Sequence, residues 1–244
     1  MSKKNHVSFS FLKKIPVTKL FKSLRSKLIF SFSIPIIFLV LLGFFSVQMV
    51  SNGFEEKYKD SASQIVGRTA EYLDLGLKTV ENTSVEYIND KNLSNYFVYS
   101  QMKSKTNEIY QLSNTIKNDF LVKTTVDDFI LNIYAISENG TALSSNANFK
   151  TDSNTYNEIM ETDTLKRASD NTFTSIWSGN DALIDEKLST VNSDYALRLI
   201  RKFQGYKAVM IIDVKADTIR QIIEDTYIDD AAILAFVTAD GKEI

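Results

Sequence analysis

Residues 28–50 form a run of 23 residues without a single charge. At about 1.5 Å per residue such a run covers a hydrocarbon core of about 30 Å with slight tilt. It ends in Val47-Gln48-Met49-Val50-Ser51, without the small-residue cleavage site that closes a signal peptide, and is therefore read as an uncleaved transmembrane helix. Farther on the pattern becomes periodic. Val66, Ala70, Leu73, Leu77, Val80, Ser84 and Tyr87 follow one another at alternating spacings of four and three, an apolar seam in which only Ser84 is out of character. The seam predicts one helix over roughly residues 54–88, a stalk whose stripe packs on the protein's own sheet, along a second copy, or on both over different lengths.

Asn89-Asp90-Lys91-Asn92 interrupts the seam, and Met102, Ile109, Leu112, Ile116 and Phe120 then return to one helical face, which predicts a second helix over roughly residues 99–121. Residues 129–136 are dense in β-formers and run into Ser137-Glu138-Asn139-Gly140. Asn-Gly tolerates the positive φ angles of a type I′ turn, so a hairpin is expected there. Thr155 with Glu158 reads as a capping box opening a short helix to about Ala168, and residues 173–177 as a strand. Residues 194–214 read as two apolar strands joined at Gln204-Gly205. A two-residue turn there pairs Leu199 with Met210 and Leu197 with Ile212 on one face, and Ile200 with Val209 and Arg198 with Ile211 on the other. Both faces are largely apolar and both need covering by helices. Asp217 caps a last helix with Ile219, Ile222 and Ile223 facing inward. The fold class is α+β, an antiparallel sheet module behind a long helix.

The stretch Ile133-Tyr134-Ala135-Ile136-Ser137-Glu138-Asn139-Gly140 recurs in pattern as Leu234-Ala235-Phe236-Val237-Thr238-Ala239-Asp240-Gly241, a shift of 101 positions. The expected organisation is a basic tail (1–27), a membrane helix (28–50), a helical stalk with a second helix (51–126), a ligand-binding sheet module (127–230) and the opening of a second module (231–244). On this reading the chain is the front part of a longer protein.

Charge gives the arrangement a direction. Residues 1–27 hold eight of the 28 Lys and Arg residues and none of the 30 Asp and Glu residues. Lys13, Lys14, Lys19, Lys22, Arg25 and Lys27 precede the apolar run, which by the positive-inside bias predicts a cytoplasmic N-terminus and an extracytoplasmic segment from residue 51 onward. Nucleic-acid binding would need those cations on a folded domain, and the domain is acidic. The absence of cysteine excludes disulfide scaffolds, thiolate metal sites and a cysteine nucleophile; His6 is the only histidine, which removes Ser-His-Asp chemistry and histidine metal clusters. No enzymatic activity and no cofactor are expected.

The order of parts (basic tail, membrane helix, long helix, hairpin over residues 129–145, the Val209-Met210-Ile211-Ile212-Asp213-Val214 strand with its following helix, a new hairpin at 236–241) resembles the double Cache sensor region of bacterial methyl-accepting chemotaxis receptors, also carried by sensor histidine kinases and diguanylate cyclases. The resemblance implies a PAS-like, membrane-distal module that binds a small polar ligand outside the bacterial inner membrane, dimerisation through stalk and membrane helices, and a cytoplasmic output. In the amino-acid-binding branch an Arg-x-Trp-Tyr stretch opens the helix after the first hairpin, a Tyr-x-Asp follows, and an Asp ends the late strand. Asp213 matches the last; Tyr156 falls where the helix opens, and Trp177-Ser178-Gly179 stands at the Tyr-x-Asp position. From the register, Arg198 and Asp213 are diagonal neighbours on one face. Arg198 suits a carboxylate and Asp213 an ammonium, so the two either hold a guest or hold each other. The ligand-binding candidates are thus Tyr156, Trp177, Arg198 and Asp213. An anchored structural or adhesive surface protein is the alternative from another class, and continuation of the reading frame into a second apolar span separates the two.

Overall fold

The computed structural model describes residues 24–102, 106–169, 174–226, 228, 232–238, 241 and 243. The chain forms two units, Met1–Ser61 and Ala62–Ile244, and helix α1 (Leu24–Ile88) contributes to each. Most of the basic tail lies outside the described residues. In the first unit α1 passes through Pro35, and its large apolar side chains from Leu28 to Val50 are exposed. By length and composition α1 is able to cross a membrane.

In the second unit α1 is followed by α2 (Lys91–Met102), α3 (Thr106–Val126), β1 (Ile130–Ser137), β2 (Ala142–Ser144), α4 (Thr155–Met160), α5 (Asp163–Ser169), β3 (Ser175–Ser178), α6 (Ala182–Leu188), β4 (Tyr195–Lys202), β5 (Ala208–Lys215) and α7 (Ala216–Glu224). The strands make one antiparallel sheet in the order β2-β1-β5-β4-β3. Its two faces bury separate cores. On one, Ile130, Ile133, Leu199, Met210 and Ile212 pack under Leu73, Val80 and Tyr87 of α1, with α2, α3 and α7 beside them. On the other, Tyr134, Ile136, Ile200, Val209 and Ile211 meet Ile159, Leu165, Ile184 and Leu188 of α4, α5 and α6. Both expected covers exist, and the α1 seam is buried at Leu73, Val80, Ser84 and Tyr87 and half-buried at Leu77, while Val66 and Ala70 are exposed.

Several expectations change in detail. The second helix is two helices, and Tyr99 belongs to the first: Asp90 Oδ1 accepts the Leu93 N–H at 2.8 Å, so the interruption after α1 opens α2 within two residues. The first hairpin closes through a three-residue loop. Ser137 N–H bonds to Thr141 O at 2.9 Å, and positive φ falls on Gly140 (80°) while Asn139 uses its side-chain oxygen to accept the Thr141 N–H. The capping box does not form. Asp152 Oδ1 accepts the N–H groups of Asn154 and Thr155, and Glu158 pairs with Lys187. Asp217 lies inside the first turn of α7, where its charge suits the helix N-terminus, and pairs with Arg220.

The β4–β5 register differs by two residues. Arg198 faces Asp213 and Leu199 faces Ile212, because Phe203 N–H bonds to Ala208 O (3.0 Å) and leaves a four-residue loop. Tyr206 is drawn out of the ladder: its ring packs near Phe203 and Phe97 and its hydroxyl meets Ser94 at 2.7 Å. A two-residue shift leaves every side chain on its expected face. Farther along, Gly241 (φ 85°) with its N–H on Thr238 O (2.9 Å) and the Val237–Glu243 bridge reproduce, 101 positions on, the Gly140, Ser137 and Ile136–Ala142 geometry of the first hairpin. Ala239 and Asp240 of that stretch, like Phe173 of the expected third strand, lie outside the described residues.

Gly76 lets α1 pack directly on the Phe129 ring, since a Cβ there would lie 2.1 Å from Cζ of Phe129. Gly67 on the same helix has open space around it. Gly76→Ala is expected to destabilise by about 1–3 kcal/mol despite alanine's better helix propensity, through overpacking. Gly67→Ala should be neutral or stabilising by up to about 1 kcal/mol. Thermal melts of the two variants of this 244-residue chain in detergent micelles check the pair, and equal shifts would contradict the packing at Gly76.

Candidate functional site

The one cluster of fully buried charge sits on the α6 side of the sheet, among the described residues. Between Tyr195 and Arg198 the β4–β5 register slips by one residue, a bulge. In a regular strand residues three apart point to opposite faces; the extra residue returns Tyr195 to the face of Arg198 and leaves Ala196 and Leu197 in the core under α1. The Arg198 guanidinium then lies 4.4 Å from the Tyr195 ring centroid, a cation–π contact.

Arg198 and Asp213 are both 0% exposed. Arg198 Nε donates to Asp213 Oδ1 at 2.6 Å and Nη2 to Oδ2 at 3.4 Å, while Nη1 donates to Asp185 Oδ1 at 3.0 Å. The Tyr195 hydroxyl donates to the same Asp185 oxygen at 2.8 Å. Thr190 Oγ1 donates to Asp213 Oδ2 (3.3 Å) and contacts the Tyr134 hydroxyl (2.8 Å), to which Asn146 Nδ2 donates at 3.1 Å. Thr190 reaches Asp213 because α6, capped at its start by Asp181, ends on Ser189 in a left-handed conformation (φ 55°) that reverses the chain. A non-glycine residue there costs about 1 kcal/mol.

Burial strips water from Asp213 and holds its carboxyl above the ordinary range; Arg198 opposes this and Asp185, sharing the guanidinium, reinforces it. Burial also works against the Arg198 charge, but Asp213, Tyr195 and Asp185 outweigh it and the guanidinium stays protonated above its usual range. Tyr134 and Tyr195 are likewise pushed upward, first by burial. Two carboxyl groups thus share one guanidinium.

The four sequence-predicted residues are not gathered into one site. Arg198 and Asp213 are joined directly, as cross-strand partners instead of diagonal neighbours. Trp177 is on the opposite face, beside the α1 core, where its Nε1–H donates to Glu81 Oε1 at 2.9 Å. Tyr156 packs on the Arg198 side, half-buried, with Glu138 and Lys207 as its charged neighbours. Sequence reasoning missed Tyr134, Asn146, Asp185, Thr190 and Tyr195. Tyr134 was available from strand alternation; the others depend on a bulge and a helix end that residue types do not announce.

Asn146 is the outermost link. It lines a surface cleft of about 450 Å³ with Lys117, Asn118, Ser144, Ser145 and Phe149, and its amide also donates to the carbonyls of Leu188 and Ser189. A hydrogen-bonded chain therefore leads from this cleft through Tyr134 and Thr190 to Asp213 and Arg198. No group of three or more His, Cys, Asp or Glu side chains is placed to hold a metal among the described residues. No protein-family model and no curated protein matches this chain.

Arg198→Ala is expected to cost about 3–5 kcal/mol, because it leaves two carboxylates without their cation in a dry site. Asp213→Ala should cost a similar amount, and the double variant should cost about 1–3 kcal/mol less than the two together. Denaturant titrations of the full chain in detergent measure this, and strict additivity would contradict the coupling.

The buried tyrosines give a pH prediction. Tyr87, Tyr134 and Tyr195 hold their protons past the ordinary tyrosine range in the folded chain, whereas in the unfolded chain they ionise near pH ~10. The folded state then binds more protons above that pH, so stability is present below about pH 10 and falls as pH rises through it. Absorbance at alkaline pH should show these phenols ionising together with loss of helical circular dichroism; ionisation that precedes unfolding would contradict their burial.

Proposed function

We propose that this chain is the ligand-sensing input region of a bacterial transmembrane receptor, of the double Cache kind that it resembles. A small polar molecule enters the cleft at Asn146 and acts on the buried Arg198 cluster. The observation that carries the reading is the hydrogen-bonded chain from Asn146, a half-buried residue lining the cleft, to a guanidinium with no exposed surface. Buried polar networks of this kind are sensitive to the loss or gain of one partner, since each unsatisfied member costs about 1–3 kcal/mol. A cleft of about 450 Å³ is within the usual size range of small-molecule sites. Helix α1 supports the transmembrane part of the proposal by its length and apolar surface, and the basic residues before it support a cytoplasmic N-terminus. The output is a chemotaxis signalling module, a histidine kinase or a diguanylate cyclase, and the working unit is a dimer.

A second reading, a membrane-anchored structural or adhesive surface domain, is favoured by one fact: Arg198 and Asp213 satisfy each other without a guest. A thermal-shift screen of the full chain in nanodiscs, against amino acids, organic acids, amines and purines, separates the two. Sensing predicts that at least one class raises the melting temperature and that Asn146→Ala removes the shift, measured against that variant's own unliganded melting temperature. Orientation is tested in the same chain, which has no cysteine, by introducing Lys78→Cys and applying a membrane-impermeant maleimide to intact cells. Labelling supports an extracytoplasmic module; labelling only after lysis contradicts it, and silence across the whole screen favours the structural reading.

A further inference from the structure

An apolar seam fixes which face of a helix is buried but not how far along the partner surface the helix sits. Leu73, Leu77, Val80, Ser84 and Tyr87 recur every three or four residues, so a slide by one turn, about 5.4 Å, sets one seam residue, in most places apolar, where another was. Two contacts remove that degeneracy. The first is polar. Ser84, the residue out of character in the seam, is 0% exposed; Arg201 Nε of β4 donates to its Oγ at 2.7 Å, and its hydroxyl donates to Glu81 O at 2.6 Å. Three residues earlier Glu81 accepts the Trp177 Nε1–H of β3 at 2.9 Å. A slide of one turn brings Val80 or Ile88 to the place of Ser84, leaving a partly buried guanidinium and an indole N–H without acceptors. The second contact is steric. The Phe129 ring occupies the volume a Cβ would take at Gly76, and one turn away in either direction stand Tyr72 and Leu73 or Thr79 and Val80.

We infer that α1 is clamped to the sheet in a single register by Ser84–Arg201, Glu81–Trp177 and Gly76–Phe129, so that the part of α1 packed on the sheet moves with β3 and β4 as one body. Strand β4 also carries Arg198 of the charge cluster, on its other face. Arg198 is three residues from Arg201 on β4, and its cross-strand neighbour on β3, Ser178, adjoins Trp177. With the sensing reading, on which the functional meaning of the clamp rests, a change at Arg198 reaches α1 as a joint displacement of helix and sheet and not as a slip of the helix along it. Trp177, chosen from sequence as a ligand residue, is on this account a positioning residue for α1.

The test is a distance measurement in the full chain reconstituted in lipid nanodiscs. Spin labels are placed at Lys78→Cys and Gln204→Cys, both exposed, and the distance distribution is read by pulsed electron resonance. The clamp predicts one narrow distance. It also predicts that Ser84→Ala, Glu81→Ala and Phe129→Ala together add a second component displaced by several ångströms, up to about one helical turn of 5.4 Å. Two components in the labelled chain without further changes would overturn the inference, as would an unchanged single distance in the triple variant with native circular dichroism. If the triple variant does not fold, Ser84→Ala with Trp177→Phe, which removes only the polar contacts, decides between the outcomes: broadening supports the clamp and an unaltered distribution overturns it. None of these readouts involves a ligand, so failure of the screen leaves the clamp standing and failure of the clamp leaves ligand binding intact.

Discussion

Seven consecutive residues of β5, Ala208 to Val214, are buried, and a strand with no face open to water needs a cover on each side of its sheet. Most of the architecture follows from that requirement. One cover is made of α1, α2, α3 and α7, and the other of α4, α5 and α6. Antiparallel strands that are buried on both faces read as nearly continuous apolar runs, which is how residues 208–214 appear in the sequence. The exception within the run is Asp213, and its charge forces the second layer to be more than a lid. Arg198 and Thr190 donate hydrogen bonds to it, and these offset the loss of water around a carboxyl group in a dry layer.

What could be read from the sequence divides along the same line. Side-chain parity, the seam of α1, the hairpins and the need for two covers are local or periodic properties, and they carried over into the structure. Face assignment survived even though the β4–β5 pairing moved by two residues, because two is the period of a strand. The moved register came from Tyr206, whose ring prefers Phe203 and Phe97 to a place in the ladder, a tertiary contact that no window of sequence contains. The site was half legible. Arg198 and Asp213 were found because charges among β-formers stand out, whereas Tyr195 joins them only through a bulge and Asp185 through the packing of α6 on the sheet. The face of Trp177 was not legible, because an aromatic residue in a short strand does not disclose which face it takes, and here it meets Glu81 of α1.

The arrangement puts two kinds of polar contact on opposite faces of the sheet. On one side a guanidinium is held by carboxylates behind the α6 layer; on the other a guanidinium and an indole hold α1. Both arginines come from β4, separated by three residues, so the strand is loaded by charge from both directions. Its neighbour β3 has only four residues, which leaves β4 dependent on β5 for most of its ladder.

The edges of the sheet have a consequence of their own. Strand β2 has three residues and β3 four, and these are the two outer strands. An outer strand exposes a row of unpaired backbone donors and acceptors that recruits strands from other molecules, and the hazard grows with its length. Here each row is too short to template more than a few hydrogen bonds. Copies of the chain brought close together are thereby protected from extended edge-to-edge pairing.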